Sequence, residues 1–346
     1  MSHFRLTDLT PLILIDFPTT LLTLTPLLAP LSPGQRMDYM NPDELADKVF
    51  GKPPYEYRDD GPQPMAWESY SKLVSERFQA LLDDESHPES VYQKFIEEHI
   101  CLTPCVEFPL LQGGRGPLAE CVVTQPSLLE LKEKIPDFLY FTGNSGDIKS
   151  FLIEIERPRK RWFTQRGDPT AEFTQARNQL NRWRTWFQDA GHLIWFEKRY
   201  EVRNSPLYDR THTQHYVLAI GKRSHIVSNE FNKLRSGVQS ADVTCMTLDR
   251  LEPRHEFKNS PTIKLDSSGQ DTLFRVLHIP PTFRIGPHNF PRLQPLVGMD
   301  DAIASNELIS EGRKAFLLER LQYWNDVFRR LDGRTFFMPS WHARGE

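Results

Sequence analysis

The sequence predicts an α/β protein, a mixed sheet flanked by helices with extra segments at both ends. Three observations carry that expectation. Residues 137–157 read as two strands joined through Gly143-Asn144-Ser145-Gly146, the pattern of a hairpin. Residues 171–189 place Phe173, Ala176, Leu180, Trp183 and Phe187 at spacings of three and four, the stripe of a helix laid on a core. HYVLAIG and DVTCMTL are apolar runs with a helical stretch, 226–236, between them, which is the order of a parallel βαβ unit.

Along the chain, residues 1–66 are expected to be an extended or poorly ordered segment. Residues 9–33 are greasy, but Pro11, Pro18, Pro26, Pro30, Pro33 and Asp16 interrupt them. A membrane-spanning helix must satisfy its own backbone, so no membrane partner is expected. The basic start and small-residue cleavage site of a signal peptide are missing too. The character of the chain changes near Met37 and Met40, which suggests an over-extended start. Residues 37–66, rich in Pro, Gly and charge, read as a connector.

Residues 67–104 form a helical preface. Leu73, Val74, Phe78, Leu81 and Leu82 share one face of its first helix, and 88–100 make the second. Residues 105–255 hold the main domain. Two short strands are expected around GGRGP, then a short helix at 126–135, then the hairpin with strands 137–142 and 150–157. Asp168 suits the cap of the next helix and Pro169 its first turn. HLIWFE, HYVLAIG and DVTCMTL read as strands. Residues 256–346 are a C-terminal extension, proline-rich and mixed, ending in an amphipathic helix at about 306–331 with Leu317, Leu321, Trp324, Phe328 and Leu331 at helical spacing.

Bulk composition removes several classes. Formal net charge is −4, so nucleic-acid binding must rest on a local patch rather than on the whole molecule. The four cysteines contain no CxxC pair, which fits a reduced, cytoplasmic protein. No Walker loop, Rossmann fingerprint or GxSxG occurs, so nucleotide hydrolysis, dinucleotide binding and α/β-hydrolase chemistry have no support. His288-Asn289 lacks the surroundings of an HNH site. His212 and His215 read as surface or edge histidines, and Trp183, Trp186 and Phe187 as core.

The informative stretch is FLIEIERP at 151–158. Side chains alternate along a strand, so Phe151, Ile153 and Ile155 face one way while Leu152, Glu154 and Glu156 face the other. Two like charges side by side call for a cation, either an arginine or a metal. Asp137, at the start of the neighbouring strand, can approach Glu154. Three converging carboxylates raise one another's pKa unless a cation intervenes, and Mg²⁺ suits such a hard-oxygen set. Between 157 and 184 stand eight Lys/Arg against only Asp168 and Glu172. Phosphate contacts favour that surplus. A surface network of Glu154 and Glu156 with Arg157, Arg177 or Arg182 is the plainer account of the same residues.

Pro136-Asp137, a hairpin, Glu154-x-Glu156 and a helix bearing Gln175-x-x-x-Gln179 together resemble the PD-(D/E)xK nuclease superfamily. With PDFLYF, PTAEFTQARNQLNRWRTWF, YVLAIGKRS, DVTCMTLDRL and the upstream YQKFIEEHICLTP, the set resembles more narrowly the Shedu nuclease domain of anti-phage defence, over about residues 88–252. The resemblance implies a PD-(D/E)xK core and a metal-dependent DNA endonuclease or nickase using Mg²⁺ or Mn²⁺. Asp137, Glu154 and the Ile155 carbonyl would hold the metal, with Glu156 and Gln179 as further catalytic groups. Arg157, Arg159, Lys160, Arg161 and Arg166 would face DNA. A homo-oligomer belongs to the same implication. Glu156 occupies the position that is usually lysine, so Lys160 or Lys149 would have to supply the missing charge. That departure keeps a second reading open, a catalytically inactive nuclease fold that binds nucleic acid or a protein partner.

Overall fold

The computed structural model describes residues 55–105, 121–131, 135–143, 147–202, 210–226, 234, 236–266, 273–287, 289, 295–330 and 345–346. The chain divides into two units, 1–53 and 54–346, and the described residues all belong to the second. The expectations for residues 1–54, the strand before GGRGP, the tip of the hairpin and most of the 226–236 helix fall outside them.

Among the described residues, eight strands form one mixed sheet. They are β1 (Val122–Thr124), β2 (Phe138–Gly143), β3 (Asp147–Ile155), β4 (Thr211–Ala219), β5 (Val243–Met246), β6 (Thr262–Asp266), β7 (Leu273–His278) and β8 (Leu296–Val297). Their spatial order is β5-β4-β3-β2-β1-β6-β7-β8. The hairpin β2–β3 is antiparallel, while β3–β4 and β4–β5 are parallel. The expected parallel βαβ relation of HYVLAIG and DVTCMTL is therefore present as a strand pairing. β1 continues the sheet in the other direction, antiparallel to β2 and parallel to β6.

Helices cover both faces. On one side lie α1 (Trp67–Asp83) and α2 (Glu89–Glu98). They bury Tyr70, Val74, Phe78, Leu82, Tyr92 and Ile96 against Phe138, Tyr140, Phe151, Ile153 and Ile155. On the other lies α3 (Ala171–Trp186), whose Phe173, Ala176, Leu180 and Trp183 pack over Leu139, Leu152, Tyr216 and Leu218. This is the period-2 division read from FLIEIERP, with one difference. β3 is central, so both of its faces are dry from Ser150 onward, and the carboxylates are buried as well. Phe151, Leu152, Ile153 and Ile155 are each fully buried, contributing about 1.5–3 kcal/mol apiece. Trp183, Trp186 and Phe187 belong to the core as expected.

Several local expectations are corrected. HLIWFE is not a strand but part of α4 (Ala190–Arg199). Asp189 caps it, accepting from Gly191 N at 2.8 Å and His192 N at 3.1 Å, and Lys198-Arg199 close it; favourable charge at both ends outweighs the aromatic, β-branched composition. Within 126–135, Leu128 bridges to Leu131 around a turn instead of starting a helix. The cap of α3 is Thr170, whose hydroxyl accepts from Phe173 N at 3.1 Å. Asp168 is spent two residues earlier, its carbonyl accepting Thr164 N–H at 2.7 Å. The C-terminal helix begins at Glu311, not 306; it forms α6 (Glu311–Arg330) behind α5 (Met299–Ser305).

The two histidines are not at the surface. The His212 side chain is 1% exposed and bridges Ser150 Oγ at 2.9 Å and Glu197 Oε1 at 3.1 Å. His215 is buried and meets Thr244 Oγ1 at 2.9 Å. Among the described residues, no helix is long and apolar enough to cross a membrane.

Candidate active site

The acids meet because of where the hairpin register ends. Phe138 stands opposite Ile153. Asp137 lies just before β2, near enough for its charge to act on Glu154, while Glu154 itself reaches α3 through Gln179. There the β2–β3 pairing slips by one residue, with Asp137 N–H donating to Ile153 O at 2.8 Å, while Gln125 N–H keeps the β1–β2 register onto Asp137 O at 2.7 Å.

Each acid then has its own neighbours. Asp137 Oδ2 accepts the Ile155 N–H at 2.7 Å. Glu154 Oε1 accepts from Gln179 Nε2 at 2.6 Å, across the gap to α3. Its other oxygen, Oε2, is buried without a partner among the described residues. Glu156 stands one residue past β3, where its N–H extends the parallel ladder onto Ala219 O at 2.8 Å. Its carboxylate receives the Lys160 ammonium. Lys160 Nζ also lies 3.6 Å from Glu89 Oε2.

Glu89 is the group that the sequence did not announce. It opens α2 behind Pro88, a place where an acid is ordinarily explained by the helix dipole. Here it shares the Lys160 ammonium with Glu156 and helps to raise that group's pKa, so the helical preface contributes directly to the cluster. The only hint in the sequence was the position of YQKFIEEHI ahead of the hairpin, because contacts this distant in the chain leave no local pattern.

Four carboxylates therefore share the Lys160 ammonium, the Gln179 side-chain amide and the Ile155 backbone N–H. Burial pushes Asp137 up to about 7, with the Ile155 amide opposing and the Glu156 charge adding. Burial likewise pushes Glu156 up to about 7, helped by the Glu89 contact and opposed by Lys160. Glu154 rises well above the ordinary carboxylate range, first through burial and then through Asp137, Glu156 and Glu89. Such a cluster must hold protons or cations.

The loop after β3 is fixed firmly. Trp162 is fully buried, stacks on Phe173 at 5.2 Å and donates to Ile220 O at 2.6 Å. Gly221 approaches from β4 with φ +75, and a Cβ there would stand 2.5 Å from the Lys160 carbonyl; only glycine accepts both conditions. Thr170 Oγ1 ties the far end to Arg161 O at 2.6 Å. Lys160 is thereby turned in towards the acids. Arg159, Arg161 and Arg166 are exposed, while Arg157 is half-buried with its Nε lacking a partner among the described residues. Lys149 lies near the far end of β3, beside the Phe151 ring on the opposite face from Glu154, so Lys160 is the lysine at the acids. Gln175 is exposed.

Among the described residues, no three His, Cys, Asp or Glu side chains already form a metal-holding group. The donor chemistry nonetheless suits a hard cation, and the buried Glu154 Oε2 is an acceptor left without a partner among the described residues. Residues 86–251 match the Shedu protein SduA, C-terminal, family. The chain carries a Shedu-type domain. No curated protein matches the chain. Glu89, Asp137, Glu154, Glu156, Lys160 and Gln179 all lie inside the Shedu-type domain, whereas β6 to β8, α5 and α6 lie beyond it.

Proposed function

We propose that this protein is a metal-dependent DNA endonuclease or nickase of the PD-(D/E)xK type, acting in the cytoplasm in anti-phage defence. The observation that carries the reading is the approach of Asp137 to Glu154 and to the Ile155 N–H at the end of the hairpin, with Gln179 bonded to Glu154 and Lys160 to the neighbouring Glu156. Asp137, Glu154 and the Ile155 carbonyl would hold Mg²⁺ or Mn²⁺. When bound, that ion supplies positive charge to the phosphate and a more acidic water.

The chain's own groups have separable tasks. Gln179 fixes the orientation of Glu154. Lys160 supplies the charge that a lysine at position 156 would otherwise bring. Glu156, already titrating near 7, suits the exchange of a proton with an attacking water. Arg157, Arg159, Arg161 and Arg166 offer the loop to a nucleic-acid backbone. That all four cysteines are thiols supports a reducing compartment.

Supercoiled plasmid with Mg²⁺ or Mn²⁺ tests the reading. Nicking by the native protein, abolished in Glu154→Ala with DNA binding retained, is the expected result. Absence of cutting in either ion overturns catalysis. Salt-dependent binding without cutting would support the inactive-fold alternative, for which the observation in favour is the glutamate at position 156, tied up by Lys160.

A further inference from the structure

A second charged site, built on α6, takes no part in the acid cluster. Arg313 and Arg320 are 2% and 3% exposed. Each is held by carbonyls from other parts of the chain. Arg313 donates to Pro62 O and Phe283 O, both at 3.0 Å. Arg320 donates to Glu56 O at 2.7 Å and lies over the Tyr323 ring at 3.9 Å. Between these two guanidinium groups sits Glu346, whose side chain is fully buried.

The carboxylate of Glu346 is completely surrounded by donors. Arg320 grips it with Nε on Oε2 and Nη2 on Oε1, the latter at 2.7 Å. The Arg58 backbone N–H reaches Oε1 at 2.7 Å, and Trp324 Nε1 reaches Oε2 at 3.3 Å. Backbone contacts fix the rest: Glu346 N–H on Ile285 O at 2.7 Å, Arg313 Nη2 on Glu346 O at 2.7 Å, and Tyr57 OH on Gly345 O at 2.8 Å. Gly345 has φ +65, a conformation that restricts this position to glycine in practice.

We propose that Arg313, Arg320 and Trp324 form a receptor for a Gly-Glu peptide segment, and that Gly345-Glu346 is its tethered and exchangeable occupant. Two features carry this. The two arginines keep carbonyl partners that do not depend on Glu346, and Tyr55–Arg58 is held on α6 by the Arg320 bond to Glu56 O and by Arg58 Nη1 on Glu319 Oε1 at 2.8 Å, so the pocket stays shaped when the glutamate leaves. A bidentate grip with two further donors reads a carboxylate specifically. Tethering gives Glu346 a high effective concentration, which is why a competing acidic peptide gains entry only when Glu346 is absent or displaced.

The test uses the full chain and a fluorescein-labelled peptide of residues 341–346, Trp-His-Ala-Arg-Gly-Glu. Glu346→Ala should bind it saturably, at least tenfold more tightly than the unaltered protein does. Replacing the peptide's glutamate by glutamine should weaken binding at least tenfold, as should adding Arg320→Met to the Glu346→Ala protein. Folded Glu346→Ala that takes up no peptide, or equal uptake by both proteins, overturns the proposal. Where Glu346→Ala does not fold, Glu346→Gln, which fills the same space without the charge, takes its place. Failure of both to fold also overturns it, because Glu346 is then a folding contact and not an exchangeable ligand.

Discussion

Gln179 Nε2 stands 2.6 Å from Glu154 Oε1, and this bond joins the helix on one face of the sheet to the acid at its centre. It orients Glu154 through Oε1 and leaves Oε2 without a partner among the described residues. Gln179→Ala should therefore lower plasmid nicking by about 10- to 100-fold, as loss of groups that orient metal ligands generally does. DNA affinity, measured in parallel, should stay within about twofold. Unchanged nicking would remove Gln179 from the site.

Lys160 is predicted to matter for cutting more than for binding. Its ammonium lies among Glu156 and Glu89 and is only 19% exposed, so it is poorly placed to meet a phosphate from outside while the acids hold it. Lys160→Met should reduce nicking by roughly two orders of magnitude, with little change in the salt dependence of binding. A variant that cuts normally but binds weakly would return Lys160 to the nucleic-acid surface.

The acid cluster makes the metal-free protein sensitive to alkali. Asp137 and Glu156 titrate near 7 in the fold, against ordinary values of 3.8 and 4.5. The fold favours their protonated forms, so this contribution is whole below about pH 4 and is lost as pH rises through 7. Mg²⁺ should consequently raise the melting temperature more at pH 8 than at pH 5. Glu154→Gln, in chelator at pH 8, should melt about 3 °C or more above the native protein and should no longer respond to Mg²⁺. A lower melting temperature for that variant would contradict the like-charge account.

On the acid side, His99 sets a different limit. Burial, then Arg77 and His278, lower it to about 4, and its Nδ1 lies 3.2 Å from the Tyr70 hydroxyl. In an unfolded chain histidine titrates near 6.5. The stability it contributes is thus present above pH 6.5 and lost as pH falls towards 4, on the order of 3 kcal/mol in all. Denaturant titrations of His99→Phe between pH 4 and 7 should show a flatter profile than the native protein. An equally steep profile would assign the acid sensitivity elsewhere.

The exposed arginines are predicted to act additively on phosphate. Arg159→Ala, Arg161→Ala and Arg166→Ala combined should flatten the log–log salt dependence of DNA binding by about 2 to 3, close to 0.9 per lost contact. The folded state should be unaffected, since all three are exposed. No change in slope would place the DNA path on another surface.

The sequence was most informative where a pattern is local. Phe151, Ile153 and Ile155 alternate with Leu152 and Glu154 across the two cores as the strand period requires, and the Phe173–Trp183 stripe lies where its spacing put it. It was least informative where competing forces are close. HLIWFE has strand composition, yet Asp189 and the basic residues after it make a helix. Asp168 looked like a cap, but the two-residue bridge Phe163–Pro169 moves that duty to Thr170. Of the site itself, Asp137, Glu154, Glu156 and Gln179 were legible because a hairpin and one helix bring them together. Glu89 was not, because it joins them only through the packing of α2, and Glu346 was silent for the same reason.

The pairing of β1 with β6 has an implication for synthesis. Val122 finds its parallel partner in Thr262, beyond the end of the Shedu-type match at residue 251. While a ribosome is still making the intervening chain, one border of β1 has exposed amides and carbonyls that can recruit another nascent copy. A shortened gene ending at residue 251 would make that interval permanent, and its product is expected in inclusion bodies where the longer one is recovered in the supernatant.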